Sequence, residues 1–143
     1  MLQKQFLLLI VFFCIASTIF AQTVTGVRIS FKTTDNDKDD DTGVETIFKT
    51  SNNTDIAYRR DNYGHFNDHS EFNADLQMRN SSIDCNNMAG STITINIFPN
   101  GHDTWNFDFD LIITCSDGST KSYPFRGIHL TQSNINFVGT LTN

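Results

Sequence analysis

Residues Trp105 to Cys115 read WNFDFDLIITC, and this run decides the fold. Trp105, Phe107, Phe109, Leu111, Ile113 and Cys115 share one face of an extended chain, while Asn106, Asp108, Asp110 and Thr114 share the other. A period of two is the signature of a β-strand, so the run predicts a strand with one side in the core. Just beyond it, Ser116–Ser119 (SDGS) supplies turn chemistry and closes a hairpin onto Lys121–Leu130. Just before it, Pro99-Asn100-Gly101 stops another alternating run, in which Ile93, Ile95 and Ile97 form the apolar face.

The same period recurs further out. Val27, Ile29 and Phe31 alternate with Arg28, Ser30 and Lys32, and Val44, Thr46 and Phe48 alternate with Glu45, Ile47 and Lys49. Phe72, Ala74, Leu76 and Met78 alternate with Glu71, Asn73, Asp75 and Gln77, and short strands are expected at Ile56–Arg60 and Ile135–Leu141. No stretch sustains a helical period, and there is no repeat or low-complexity segment. About eight short strands, each with one apolar face, bury those faces by stacking as two antiparallel sheets, an all-β sandwich. A closed barrel is the alternative.

The N-terminus reads as a secretory signal. Lys4 supplies the positive start, Phe6 to Ile15 an unbroken apolar core, and Ser17 to Ala21 the small residues before a cut after Ala21. The apolar run is short for a membrane span, and no later segment is apolar enough to be one. Residues 22–143 then form one domain of ordinary size. Losing Lys4, the only charge before the cut, takes the net charge from −6 to −7. Such acidity argues against nucleic acid, which is bound through a basic footprint. Cys14 leaves with the signal. Cys85 and Cys115 remain, and an even pair in an oxidising compartment most simply forms a disulfide, two separate thiols being the alternative. Asn52-Asn53-Thr54 and Asn80-Ser81-Ser82 are glycosylation sequons at Asn52 and Asn80.

Between the first two strands lies Asp35–Gly43, DNDKDDDTG, with five aspartates in seven positions and only Lys38 to offset them. Carboxylates ~5 Å apart repel by about 0.8 kcal/mol per pair even in water. Such a loop is either a solvated turn or a hard-cation site, since calcium takes about 6–8 oxygen ligands. Asp35, Asp37 and Asp39 match the first three ligand positions of an EF-hand, but Asp40 replaces its glycine and Thr46 its closing glutamate.

Strand parity sorts the loops. If every strand runs end to end, loop 35–43, loop 61–70, turn 99–104 and turn 131–134 share one end. That end gathers Asp37, Phe66, His65, His69, His102 and Asp103. Asn52, Asn80 and Cys85 fall at the other. His65, His69 and His102 are candidate zinc ligands; solvated loop histidines are the plainer reading. Asp108 and Asp110, about 6–7 Å apart on an outer strand face, have the separation of a glycosidase pair. Neighbouring carboxylates on an exposed strand are more often solvated or paired with Lys or Arg. No serine or cysteine sits in an elbow-like nucleophile setting, and the chain is not expected to be an enzyme.

VRISFKTTDNDKDDDTGVETIFKT resembles the opening hairpin of PLAT (lipoxygenase-homology) domains, with an acidic, Thr/Gly-containing turn between two strands. HFNDHSEF resembles that family's Phe-rich segment, and STITINIFPNGHDTWNFDFDLII its later hairpin. The C-terminal GTLTN departs from the family's aromatic ending. The resemblance implies an eight-stranded PLAT/C2-like sandwich that binds lipid surfaces or proteins, in some members through calcium held in end loops. Carried over by position, Asp35, Asp37, Asp39 and Asp41 would be the calcium ligands, with Asp103 assisting. Docking to lipid would fall to Tyr63 and Phe66, the aromatics expected at loop tips. The expectation is a secreted calcium-binding module presenting its loop end to a glycan, a lipid headgroup or an extracellular protein. A structural or matrix protein without a metal site is the alternative, and a secreted hydrolase the remote one.

Overall fold

A computed structural model describes residues 21–142, so the signal segment, read at residues 1–21, lies almost wholly outside the described residues. Among the described residues nine strands follow one another: β1 (Val24–Thr33), β2 (Gly43–Lys49), β3 (Asp55–Asp61), β4 (Glu71–Asp75), β5 (Gln77–Met78), β6 (Thr92–Phe98), β7 (Thr104–Cys115), β8 (Thr120–Thr131) and β9 (Asn136–Thr140). They form two antiparallel sheets, β4-β1-β7-β8 and β5-β3-β2-β6-β9. The all-β sandwich expected from the alternation is the observed architecture. Among the described residues no helix is long and apolar enough to cross a membrane.

The core is the space between the sheets, and the period of two fills it. The six inward residues of β7, Trp105 through Cys115, are at most 1% exposed. Facing them from the other sheet are Val44, Phe48, Ile93, Ile95 and Ile97, all 0% exposed. Burying one such side chain contributes about 1.5–3 kcal/mol, and this is what holds the two layers together. Phe31 on β1 sits among aromatic rings, with its centroid 5.2 Å from Trp105, 5.7 Å from Phe107 and 6.1 Å from Phe66. The indole N–H of Trp105, buried with them, donates to Thr33 Oγ1 at 3.1 Å, which meets the need of a buried donor for a partner.

Nine strands stand where about eight were expected, because the alternating segment Phe72–Met78 changes sheet part-way. β4 pairs with β1, Phe72 lying opposite Phe31. The Leu76 amide donates to Val27 O at 2.9 Å, and β5 then pairs with β3 of the other sheet, Met78 lying opposite Ala57. Ala74 and Leu76 are both buried. The alternation runs through the corner without a break because the side chains keep facing the core while the backbone changes partner.

Register fixes the two ends. Thr33 lies opposite Phe107 and Val24 opposite Cys115, while Gly43 lies opposite Phe98 and Thr104 opposite Thr131. Segments 34–42, 62–70, 99–103 and 132–135 therefore gather at one end, and the segments carrying Asn52, Asn80 and Cys85 at the other. There a disulfide joins Cys85 to Cys115, their Cα atoms 5.9 Å apart. Both cysteines are at most 1% exposed. The bond closes a loop with a sequence separation of 30. Replacing both cysteines with alanine is expected to lower unfolding stability by about 3–4 kcal/mol through the added freedom of the unfolded chain. Equilibrium urea denaturation checks this, and an unmoved midpoint would show that the crosslink adds nothing.

Candidate functional site at the loop end

The organising side chain of the acidic loop is Lys38. Its backbone pairs with Phe66 across the neighbouring loop, N–H to O in both directions at 3.2 and 3.0 Å. That pairing turns the lysine inward, and the residue is 0% exposed. The ammonium donates to three backbone carbonyls, Asp39 O at 2.7 Å, Thr42 O at 3.0 Å and Asn62 O at 2.8 Å. It also lies 5.1 Å from the Phe66 ring centroid, within reach of a cation–π attraction. Burial pushes its pKa below the usual ammonium value, while the carboxylates of Asp103, Asp39, Asp40 and Asp41 pull it back up. Stripping water from an ammonium costs several kcal/mol. Three charge-assisted hydrogen bonds at about 1.5–3 kcal/mol each, with four carboxylates nearby, offset that cost. The aspartates thus surround a cation that the chain itself supplies.

The five expected calcium ligands do not converge on one point. Asp37 and Asp39 come together with His65, their ligand atoms all within 4.8 Å of one another. His65 Nε2 stands 3.0 Å from Asp37 Oδ2. Asp35 is exposed and outside this group. Asp41 accepts a hydrogen bond from Asn100 Nδ2 at 3.1 Å. Asp103 is 5% exposed and turned into the protein, one of the negative charges acting on Lys38. Its Oδ2 is buried with no hydrogen-bond partner. Of the histidines, only His65 stands among carboxylates in this way among the described residues. His69 is exposed in a left-handed turn (φ 58°). His102 lines a shallow polar cavity of about 290 Å³ with Asp103, Thr131 and Ser133.

Tyr63 and Phe66, expected at exposed tips, are instead the floor of this end. Phe66 is 3% exposed, its ring 4.8 Å from Phe72 and 5.5 Å from Trp105. Tyr63 packs 5.3 Å from Phe72. A loop tip that would insert into lipid needs its apolar rings free, whereas these two are drawn down onto Phe31 by the core beneath. Asp108 and Asp110 are both engaged by β8: Asp110 Oδ1 meets Arg126 Nη2 at 2.7 Å, and Asp108 Oδ1 accepts from the Gly127 amide at 2.7 Å. At the opposite end Asn52 is exposed, and Asn80 Oδ1 accepts from Ser82 N at 3.0 Å.

The chain matches no protein-family model and no curated protein.

Two substitutions probe this end. Lys38→Met keeps the length of the side chain but leaves three carbonyls and a knot of carboxylates without their cation. Stability is expected to fall by about 3–5 kcal/mol, with faster hydrogen exchange at the Lys38 and Phe66 amides; unchanged melting would show that the ammonium does not organise the loop. Tyr63 carries the second test. Its hydroxyl is buried without a partner, and burial pushes its pKa up to about 12. A group with a raised folded-state pKa contributes stability that is complete below the unfolded value near 10 and lost as pH rises toward the folded one. The native protein should lose stability between pH ~10 and 12. Tyr63→Phe should remove that part of the loss and leave neutral-pH stability equal or higher, because an unsatisfied hydroxyl is removed. Alkaline melting curves of the two proteins decide it.

Proposed function

We propose that the protein is a secreted, non-enzymatic binding module whose loop end holds a divalent cation, calcium by the oxygen character of the site, on Asp37 and Asp39. The observation that carries this reading is the convergence of Asp37, Asp39 and His65 within 4.8 Å on the outer side of the acidic loop. The interior of the loop is taken by the Lys38 ammonium, so an added cation would sit outside it, where carboxylates remain free to turn. Asp35 and the exposed Asp40 are near enough in sequence to join, while Asp41 is held by Asn100 and Asp103 is buried. This narrows the calcium set implied by the PLAT resemblance to its outer members. The disulfide and the sequons at the far end suit an extracellular life. The surface beside the cation would meet a glycan, a lipid headgroup or an extracellular protein. The buried Phe66 and the half-buried Tyr63, packed onto the core, favour a polar partner over an inserted bilayer.

With few rigid ligands, affinity belongs at the weak, extracellular end, around 10⁻³ M. Calcium tenfold above that value should add about 1.4 kcal/mol of stability, a melting rise of roughly 5 °C for a domain of this size. Asp37→Asn with Asp39→Asn should abolish the rise and leave the metal-free protein equally or more stable. If calcium shifts the melt no more than magnesium or matched ionic strength does, the cation site is absent. A shift with zinc alone would reassign the site to a mixed set in which the His65 imidazole is a ligand.

A further inference from the structure

The outer face of the five-stranded sheet carries a second set of polar groups, remote from the calcium question. β3, β2, β6 and β9 lie side by side, with Arg60 opposite Glu45, Glu45 opposite Asn96 and Asn96 opposite Asn136. The side chains are joined across the strands. Tyr58 Oη donates to Glu45 Oε1 at 3.1 Å, Asn96 Nδ2 to Glu45 Oε2 at 2.9 Å, and Asn136 Nδ2 to Asn96 Oδ1 at 2.5 Å. Strands at ~4.8 Å spacing carry this row over about 14 Å. Each member is held by the next, so the row keeps its shape without a ligand.

Two guanidiniums flank the row. Arg60 lies over Phe98, its Cζ 4.1 Å from the ring centroid, and Arg79 lies over Tyr58 at 5.1 Å. Both act electrostatically on the Tyr58 hydroxyl, opposing the burial and the Glu45 hydrogen bond that raise its pKa. They differ from the other three arginines of the chain. Arg28 is paired with Asp75, Arg59 with Asp61 and Arg126 with Asp110. Arg60 and Arg79 have no carboxylate partner among the described residues, in a chain with 16 acidic and 10 basic side chains. Both are exposed. A guanidinium held over a ring with no hydrogen-bond partner keeps its N–H groups free, and these receive a carboxylate or sulfate through two parallel hydrogen bonds.

We propose that this face binds an acidic polysaccharide: Arg60 and Arg79 take its anionic groups, and the Asn136–Asn96–Glu45 row takes its hydroxyls. Charge complementarity selects the anion, because these are the two unpaired arginines of an acidic protein. The side-chain row selects the saccharide. Two amides and one carboxylate in a row across neighbouring strands offer both donors and acceptors, as a chain of hydroxyls requires and a bare phosphate surface does not. The site is independent of calcium.

The test is isothermal titration of the full secreted domain in EDTA at low and physiological salt. Heparin presents sulfate, polygalacturonate presents carboxylate, dextran serves as the neutral control, and anionic phospholipid vesicles complete the set. Binding to heparin, polygalacturonate or both, with none to dextran, is expected, and the preferred polymer identifies the anion. Arg60→Gln with Arg79→Gln should weaken that binding at least tenfold, and Asn96→Ala should weaken it without changing its salt dependence. Arg28→Gln, on the other sheet and already paired with Asp75, should bind as the parent does. All four substituted residues are on the surface, and thermal melting confirms that the variants fold. Unaltered polysaccharide binding by the double variant overturns the proposal, as does a parent that binds neither polymer. Binding of vesicles but not polysaccharides also overturns it and assigns the face to a membrane. Polysaccharide binding seen only in a parallel titration with calcium and without EDTA also overturns it and belongs to the loop end.

Discussion

Desolvation of one side of β7 is the constraint on which the rest depends. Six apolar side chains in register along a single strand cannot be left in water, and one sheet cannot cover its own face. A second sheet must close over them, and its inward residues Val44, Phe48, Ile93, Ile95 and Ile97 are the matching surface. Once the two layers are stacked, the alternate residues are forced outward. Asp108 and Asp110 on β7 meet Arg126 from the neighbouring strand, and Glu45 and Asn96 join on the other sheet. The chemistry of both outer faces is thus a by-product of how the core is covered.

The loop end shows how a chain can tolerate a dense run of acid. Five aspartates without a counter-ion would repel one another apart. Here three of them, Asp39, Asp40 and Asp41, act with Asp103 on the Lys38 ammonium, which is fixed by three carbonyls. A lysine carries its charge on a flexible stem and can reach a point that no bound ion need occupy. Its withdrawal from solvent leaves Asp35, Asp39, Asp40 and Asp41 as the exposed carboxylates of the loop.

The fold was legible because alternation reports burial directly, and burial defines the layers. β7, β6 and β1 are readable residue by residue. What alternation does not report is the identity of the neighbouring strand, which is why the corner at Leu76 went unread: Phe72, Ala74, Leu76 and Met78 keep one rhythm across two sheets. At the loop end the run of carboxylates was plain, but its geometry was not. The informative residue was the single cation. Lys38 among five aspartates reads as a weak offset in sequence and is a buried anchor in space. Phe66 misled for a related reason: a phenylalanine between polar residues looks exposed, whereas backbone pairing with Lys38 delivers it to the core. The face around Tyr58 had no signal, since Tyr58, Glu45, Asn96 and Asn136 come from four separate strands.

The corner at Leu76 has a consequence for how copies of this protein behave when crowded. Free strand edges are templates on which chains can aggregate, and short or interrupted edges suppress this. On one side of the sandwich the two edges are β4 and β5, five and two residues long, and they are one continuous piece of chain. Neither offers a long ladder to a newcomer. On the other side β8 is long, but Pro124 removes a donor from its middle, and the ladder slips register between Phe107 and Phe109. β9, the remaining edge, is five residues long, no longer than β4. With every edge among the described strands short or interrupted, edge-to-edge pairing has no long ladder along which to propagate.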